Sequence, residues 1–326
     1  MSLVQAADLF APVADGMAAT ERWLAEMFHD EPESVRDLLA HVSRYGGKRL
    51  RPALVHLCGR ATGRATDEHA LLGAVVESLH LASLLHDDVL DAADTRRQMA
   101  TLNALHGNEV PILLGDLVYA RAFALSLTLS TPFASRELAE TSQAIVRGEI
   151  DQSFFRFSGD LDEARYLRVI RDKTAALYAA SCSLGARYAG ASEAQVRALR
   201  AFGLDLGTAF QIIDDCLDVV GDESVVGKSL GTDLETGKIT LPIIRLARRL
   251  RGADLARLDE LLRGEVSGSR RVALRAAFDL DAAVAECHAE ANAHIARCVQ
   301  AVGQIPDGPE RHSLLTLCEF VLGRSH

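Results

Sequence analysis

Apolar residues recur along this chain at helical rather than strand spacing. Leu71, Leu72, Val75, Val76, Leu79, Ala82 and Leu85 form one such series, the i, i+3, i+4 pattern of a helix face turned to a core. The same period runs through most of the chain. No alternating stretch with hairpin turn signals interrupts it, so the predicted class is all-α. Breaks in the pattern predict helices over 4–29 and 33–45, then a long one over 67–91. A loop follows at 92–98, a short helical turn at Thr101–Gly107 and an apolar helix over 109–128. Further helices are predicted over 133–157, 162–189 and 192–220. The next stretch, GDESVVGKSLGTDLETGK, is rich in Gly and charge and reads as a mobile closing loop. From 241 onward the chain is helical again, with fewer signals.

The polar positions that interrupt the period carry the chemistry. His86-Asp87-Asp88-Val89-Leu90-Asp91 ends the 67–91 helix, and Arg96-Arg97 follow in the loop. On a helix, Asp87 and Asp91 are i,i+4 neighbours with Asp88 beside them, and like charges at that spacing repel unless a cation bridges them. Asp214-Asp215-Cys216-Leu217-Asp218 repeats the pattern inside the 192–220 helix. Two such helices facing each other would make an anionic wall that only metal ions neutralise. Hard oxygen donors without interleaved His or paired Cys suit Mg²⁺, which takes one or two carboxylates plus substrate phosphates. The isolated basic residues near these motifs, Lys48, Arg49, Arg51, Arg96, Arg97, Lys173, Lys228 and Lys238, add phosphate ligands. Together they describe a diphosphate site.

Composition narrows the picture. The chain has 326 residues, 48% of them hydrophobic, and only 8 Pro, ample for a buried core. A formal net charge of −10 argues against nucleic acid and against attraction to anionic lipid, so positive charge for a polyanionic substrate must be supplied locally. Six Cys without C-x-x-C pairs read as reduced thiols of a cytoplasmic protein. Asp8, Asp15, Glu21 and Glu26 near the start do not fit a signal peptide, and no uncharged apolar run reaches the ~18 residues of a membrane span.

On its motifs the chain resembles the trans-isoprenyl diphosphate synthases, the polyprenyl synthetase family. The matching residues are Gly46-Gly47-Lys48-Arg49-Leu50-Arg51-Pro52, His80, the first Asp motif with Arg96-Arg97, and Gly115-Asp116. Lys173-Thr174, Gln211 before the second Asp motif, Gly227-Lys228 and Gly237-Lys238 complete the set. They fall in the family's order from Gly46 to Pro242. The family carries Gly after the Arg pair, where this chain has Gln98. The resemblance implies one domain over 1–326, a bundle of ten or more helices around an elongated cavity (the isoprenoid synthase fold), and head-to-tail prenyl transfer.

The resemblance also implies roles. Three Mg²⁺ ions per site are held by Asp87, Asp91 and Asp214, while Asp88, Asp215 and Asp218 orient metal-bound water and neighbours. Lys173 with Thr174, Lys238, Arg96 and Gln211 hold the allylic diphosphate, and Lys228 arrives with the closing loop. Lys48, Arg51, His80 and Arg97 hold isopentenyl diphosphate. Glu149 and Gln152 stand at the family's polar positions in the 133–157 helix. A homodimer is implied, with a long-chain product delivered to membrane. Two other readings share parts of the pattern. A terpene cyclase needs no second-substrate site, and a regulatory subunit would be expected to have lost an Asp motif.

Product length turns on the helix before the first motif. Ala82 lies five residues before Asp87, about 7.5 Å along a helix. In the family, aromatic residues just upstream of that motif go with short products, whereas Ala82 and Ser83 are small. The expectation is a hexaprenyl to decaprenyl product, with a short-chain farnesyl or geranylgeranyl diphosphate synthase as the alternative and Val76, Leu72 and Phe123 as candidates for the tunnel floor. Phe123 and Leu127 are each open to core or tunnel.

Overall fold

Helix follows helix through the computed structural model of the chain, which describes residues 9–221 and 230–323. A 3₁₀ turn at Ala11–Val13 leads into α1 (Ala14–Glu26), α2 (Glu33–Ser43), α3 (Leu50–Thr62) and α4 (Asp67–Leu90). Then come α5 (Leu102–His106), α6 (Glu109–Ser126), α7 (Phe133–Phe154) and α8 (Glu163–Ile170), and after a π-helical turn at Arg171–Ala175, α9 (Ala176–Tyr188) and α10 (Glu193–Val220). The remainder is α11 (Thr232–Glu235), α12 (Leu241–Arg249), α13 (Gly252–Arg263), α14 (Arg270–Ala277), α15 (Asp281–Val302) and α16 (Pro309–Gly323).

The all-α class therefore holds, with three local corrections. The first is that α11 stands inside the stretch read as a closing loop, whose residues 222–229 lie outside the described ones. The loop after α4 contains a small antiparallel hairpin, β1 (Thr95–Arg96) with β2 (Met99–Ala100), joined by Arg97 and Gln98. It was invisible to strand periodicity because each strand has two residues. The helix predicted over 162–189 is interrupted by the π turn, which inserts an extra residue into the helical ladder at Lys173 and Thr174.

The chain divides into two compact units. The first comprises Met1–Ser142, Leu177–Gly203 and Ala301–Leu317, and the second Gln143–Ala176, Leu204–Gln300 and Cys318–His326. In the first, α4 is buried on every side from His69 to Leu79, which is why its sequence is apolar all round. Its neighbours touch it at glycines: a Cβ on Gly73 would meet Thr20 at 2.6 Å, and one on Gly59 would meet the His69 ring at 2.5 Å. His69 starts the helix. Its Nδ1 accepts from the Thr66 N–H at 3.0 Å and its Nε2 donates to the Gly185 carbonyl at 3.0 Å, a pattern that requires the neutral ring. Burial lowers its pKa accordingly.

In the second unit, Val219, Leu234, Ile243, Leu246, Leu258 and Leu274 form the core. Arg271 ties the end of α10 by donating its Nε to the Val219 carbonyl at 2.9 Å and its NH2 to that of Gly221, satisfying carbonyls the helix leaves open. All six cysteines are buried thiols. Among the described residues no helix is long and apolar enough to cross a membrane.

Candidate functional site

The first Asp motif sits where α4 emerges from its buried stretch. Asp91 caps the helix, its N–H bonded to the Asp87 carbonyl at 2.8 Å, and Ala92 at φ +48° ends it in the left-handed conformation. Asp87 and Asp91 are partly exposed, whereas Asp88 is buried. Its Oδ1 accepts from Arg96 Nε at 2.7 Å and lies 2.7 Å from NH2 of the same guanidinium. Its Oδ2 is buried without a hydrogen-bond partner. Desolvation raises the Asp88 pKa despite the Arg96 charge.

The hairpin delivers this arginine. Arg97 and Gln98 both have positive φ, +50° and +66°, the pair that a two-residue hairpin connection requires. Gln98 thus keeps a backbone conformation that favours Gly. Arg97 donates its NH1 to the Tyr45 carbonyl at 3.0 Å and to that of Gly46, so it lies against the Gly46-Gly47 break beside exposed Lys48. Arg51, at the start of α3, stacks its guanidinium 4.6 Å above the Tyr178 ring. Arg49 instead bridges Glu21 and Glu77 at 2.9 and 2.8 Å, a structural role.

His80 lies on the α4 wall among these cations. Burial first, then Arg51, Arg96, Arg97 and Arg49, hold its pKa well below the ordinary imidazole value. Ser83 donates to the His80 carbonyl at 2.7 Å. Ala82 is fully buried against Met27, Phe28 and Val118. His86, Tyr119 and Phe123 stack in a row at 6.1 and 6.4 Å between centroids. Burial and the nearby Asp87 push the Tyr119 hydroxyl pKa up to about 12. Leu127, by contrast, is 70% exposed.

The second Asp motif, near the end of α10, begins alike. Asp214 is partly exposed and Asp215 buried. Asp215 is held by neutral donors: Tyr166 OH to Oδ2 and Gln211 Nε2 to Oδ1, both at 2.7 Å. Gln211 in turn accepts from Thr174 Oγ1 at 2.9 Å. Burial, reinforced by Asp233, raises the Asp215 pKa well above the carboxylate range. Asp218 is buried and turned to backbone: its Oδ1 accepts from the Gly231 N–H at 3.0 Å and its Oδ2 from the Asp233 N–H at 3.1 Å. The sequence reading gave Asp218 the same water-orienting task as Asp215, but its oxygens are used to start α11.

Lys173 occupies the π turn. Its Nζ is paired with Glu149 Oε2 and donates to Gln152 Oε1 at 3.0 Å, so the anionic partner that a half-buried ammonium needs is supplied by the chain itself. Lys238 is 8% exposed, 3.8 Å from Asp233 Oδ1, and lines a cavity of about 50 Å³ with Gln152, Phe155 and Tyr166. Lys228 lies outside the described residues.

Tyr166 and Arg156 were missed by sequence reasoning. Tyr166 stands seven residues before Lys173, two helical turns away, and that spacing was the available signal.

Each motif exposes carboxylate oxygens, and in the first motif Asp88 Oδ2 is buried without a hydrogen-bond partner. Hard oxygen donors of this kind fit a divalent cation of the Mg²⁺ class. Among the described residues no three His, Cys, Asp or Glu side chains close into a ready-made cage.

Residues 32–279 match the polyprenyl synthetase family. The all-trans-nonaprenyl-diphosphate synthase (geranyl-diphosphate specific) of Rhodobacter capsulatus is 35% identical over 320 residues, covering 97% of each chain. A decaprenyl diphosphate synthase from the same organism superposes with a TM-score of 0.91 at 34% identity, over 98% of both chains. A polyprenyl synthase from Caulobacter crescentus, complexed with calcium and isoprenyl diphosphate, does so at 0.90 and 32% identity, again over 98% of both.

Proposed function

The chain belongs to the polyprenyl synthetase family, and from that premise we propose that it elongates an allylic diphosphate by successive trans condensations with isopentenyl diphosphate to a hexaprenyl to decaprenyl product. The observation that carries this reading is the presence of both Asp motifs, each keeping its first aspartate partly exposed and its second buried and hydrogen-bonded. Nona- and decaprenyl synthases matched along nearly their whole length support the long product.

Asp87, Asp91 and Asp214 are the proposed ligands of Mg²⁺, three ions per site. When bound, the ions offset the charge that builds on the allylic diphosphate as its C–O bond breaks. Lys173, Thr174, Gln211, Lys238, Arg96 and Lys228 hold that leaving group, with Asp88 fixing Arg96 and Asp215 fixing Gln211, while Asp218 braces the start of α11. Lys48, Arg51, His80 and Arg97 hold isopentenyl diphosphate with its alkene toward the allylic carbon. The new C–C bond forms there, and the proton lost from the isopentenyl carbon passes to the departing diphosphate, since among the described residues no side chain presents itself as a base. Catalysis is positioning plus stabilisation of developing charge.

The protein acts in the cytoplasm as one domain and as a homodimer. Leu113 and Leu127, 67% and 70% exposed, are apolar surface that a second copy would cover. Light scattering should return twice the 35.2 kDa chain mass, and a monomer at micromolar concentration would refute the dimer.

The decisive assay incubates the pure protein with isopentenyl diphosphate, an allylic diphosphate and Mg²⁺. Diphosphate release only when both organic substrates are present, with a product of six to ten prenyl units by mass spectrometry, is expected. A cyclised product without isopentenyl diphosphate, silence relieved only by another chain, or arrest at farnesyl or geranylgeranyl diphosphate would each overturn it. Ala82 and Ser83 are the proposed length determinants. A Tyr at position 82 would have to enter the Met27, Phe28 and Val118 cluster, and is expected to shorten the product to three or four units.

A further inference from the structure

We infer that Glu149 is an internal substitute for the diphosphate at Lys173, neutralising the ammonium between turnovers and releasing it to each incoming anion while Arg156 takes over the freed carboxylate. The inference deepens the function proposed above and rests on it.

The geometry begins at Gly148. A Cβ there would meet the backbone nitrogen of Lys173 at 2.9 Å and Asp172 Cβ at 3.1 Å, so α7 lies directly against the π turn. That contact puts Glu149 beside the Lys173 side chain, where Oε2 pairs with Nζ. Both groups are largely out of solvent, at 20% and 14% side-chain exposure. An ammonium so placed is costly to leave unpaired, and Glu149 removes that cost when no substrate is present. On the other side of the same carboxylate, Arg156 NH2 stands 4.0 Å from Glu149 Oε1.

A diphosphate bound at Lys173 and the Glu149 carboxylate compete for one ammonium. Two anions sharing it repel in a partly desolvated site. The carboxylate has a second cation within reach, so the exchange leaves neither charge stranded. An enzyme that releases a diphosphate after every condensation benefits from a built-in competitor, because the same carboxylate that weakens binding also hastens departure.

The test is calorimetric binding of inorganic diphosphate to the full-length protein in Mg²⁺, with stopped-flow dissociation as a second readout. Glu149→Gln is isosteric and is expected to bind about tenfold tighter, about 1.4 kcal/mol, and to release the ion more slowly. Arg156→Gln, which removes the second cation from Glu149 and leaves it Lys173 and the Ser153 hydroxyl, is expected to bind several-fold more weakly. The opposite signs keep the inference exposed even where one variant fails to fold. Unchanged or weaker binding by Glu149→Gln, or tighter binding by Arg156→Gln, overturns it. Failure of the underlying reading looks different: wild-type protein would ignore inorganic diphosphate, or Lys173→Met would bind it as well as wild type does.

Discussion

The two Asp motifs share the pattern D-D-x-x-D and begin with the same burial, a partly exposed first aspartate and a buried second one. They part at the third. Asp91 caps α4 and stays partly exposed, while Asp218 is buried and bonded to the N–H groups of Gly231 and Asp233. The first motif therefore offers two carboxylates to a cation and the second offers one. The buried middle aspartates differ as well. Asp88 is held by a charged partner, Arg96, with one oxygen orphaned, whereas Asp215 is held by two neutral donors with both oxygens satisfied. A repeated motif is thus not a repeated function. The residues packed around each carboxylate decide whether it serves a ligand or the fold.

The largest effects should come from the positions where the motifs agree. Asp87→Ala and Asp214→Ala are each expected to lower kcat/KM about a thousandfold, since each removes a proposed metal ligand, while thermal melting stays near wild type. Turnover near wild type from either variant would break the equivalence of the first aspartates.

The middle aspartates should separate next. Arg96→Met leaves the Asp88 carboxylate buried and uncompensated, at a cost of about 3–5 kcal/mol, read as a lower denaturant midpoint. Tyr166→Phe removes one of two neutral donors to Asp215 and should cost about 1–3 kcal/mol. Equal losses would mean that the two carboxylates are held in the same way after all.

The third aspartates give the sharpest contrast for their size. Asp218→Ala strands the Asp233 N–H, while the Gly231 N–H keeps the Asp218 backbone carbonyl at 2.9 Å, and should lower stability by about 1–3 kcal/mol. Asp91→Ala should fall within about 0.5 kcal/mol of wild type yet lose activity. If Asp91→Ala proves the less stable of the two, the assignment of roles is reversed.

The smallest expected effect lies in the hairpin that supplies Arg96. Gln98 holds φ +66°, a conformation that costs a side-chain-bearing residue more than Gly. Gln98→Gly should stabilise the protein by about 0.5–1 kcal/mol, with unchanged turnover. Destabilisation would indicate that the Gln98 side chain contributes a contact of its own.

Much of this protein was legible in its residues alone. Helical periodicity set the class and placed α4, α6 and α10 within a few residues of their observed ends. The order and spacing of the motifs identified the family. Such features are local, or depend only on order along the chain. The partners of the charged groups were not legible, because desolvation and hydrogen bonding are set by side chains far away in sequence. Tyr166 reaches Asp215 across 49 positions, and Glu149 meets Lys173 because Gly148 lets α7 touch a π turn that no residue pattern announces. Residue identity determined which groups could bind a metal or a diphosphate. Tertiary packing decided which of them remained available, since a carboxylate already satisfied by buried donors has little left to offer a ligand.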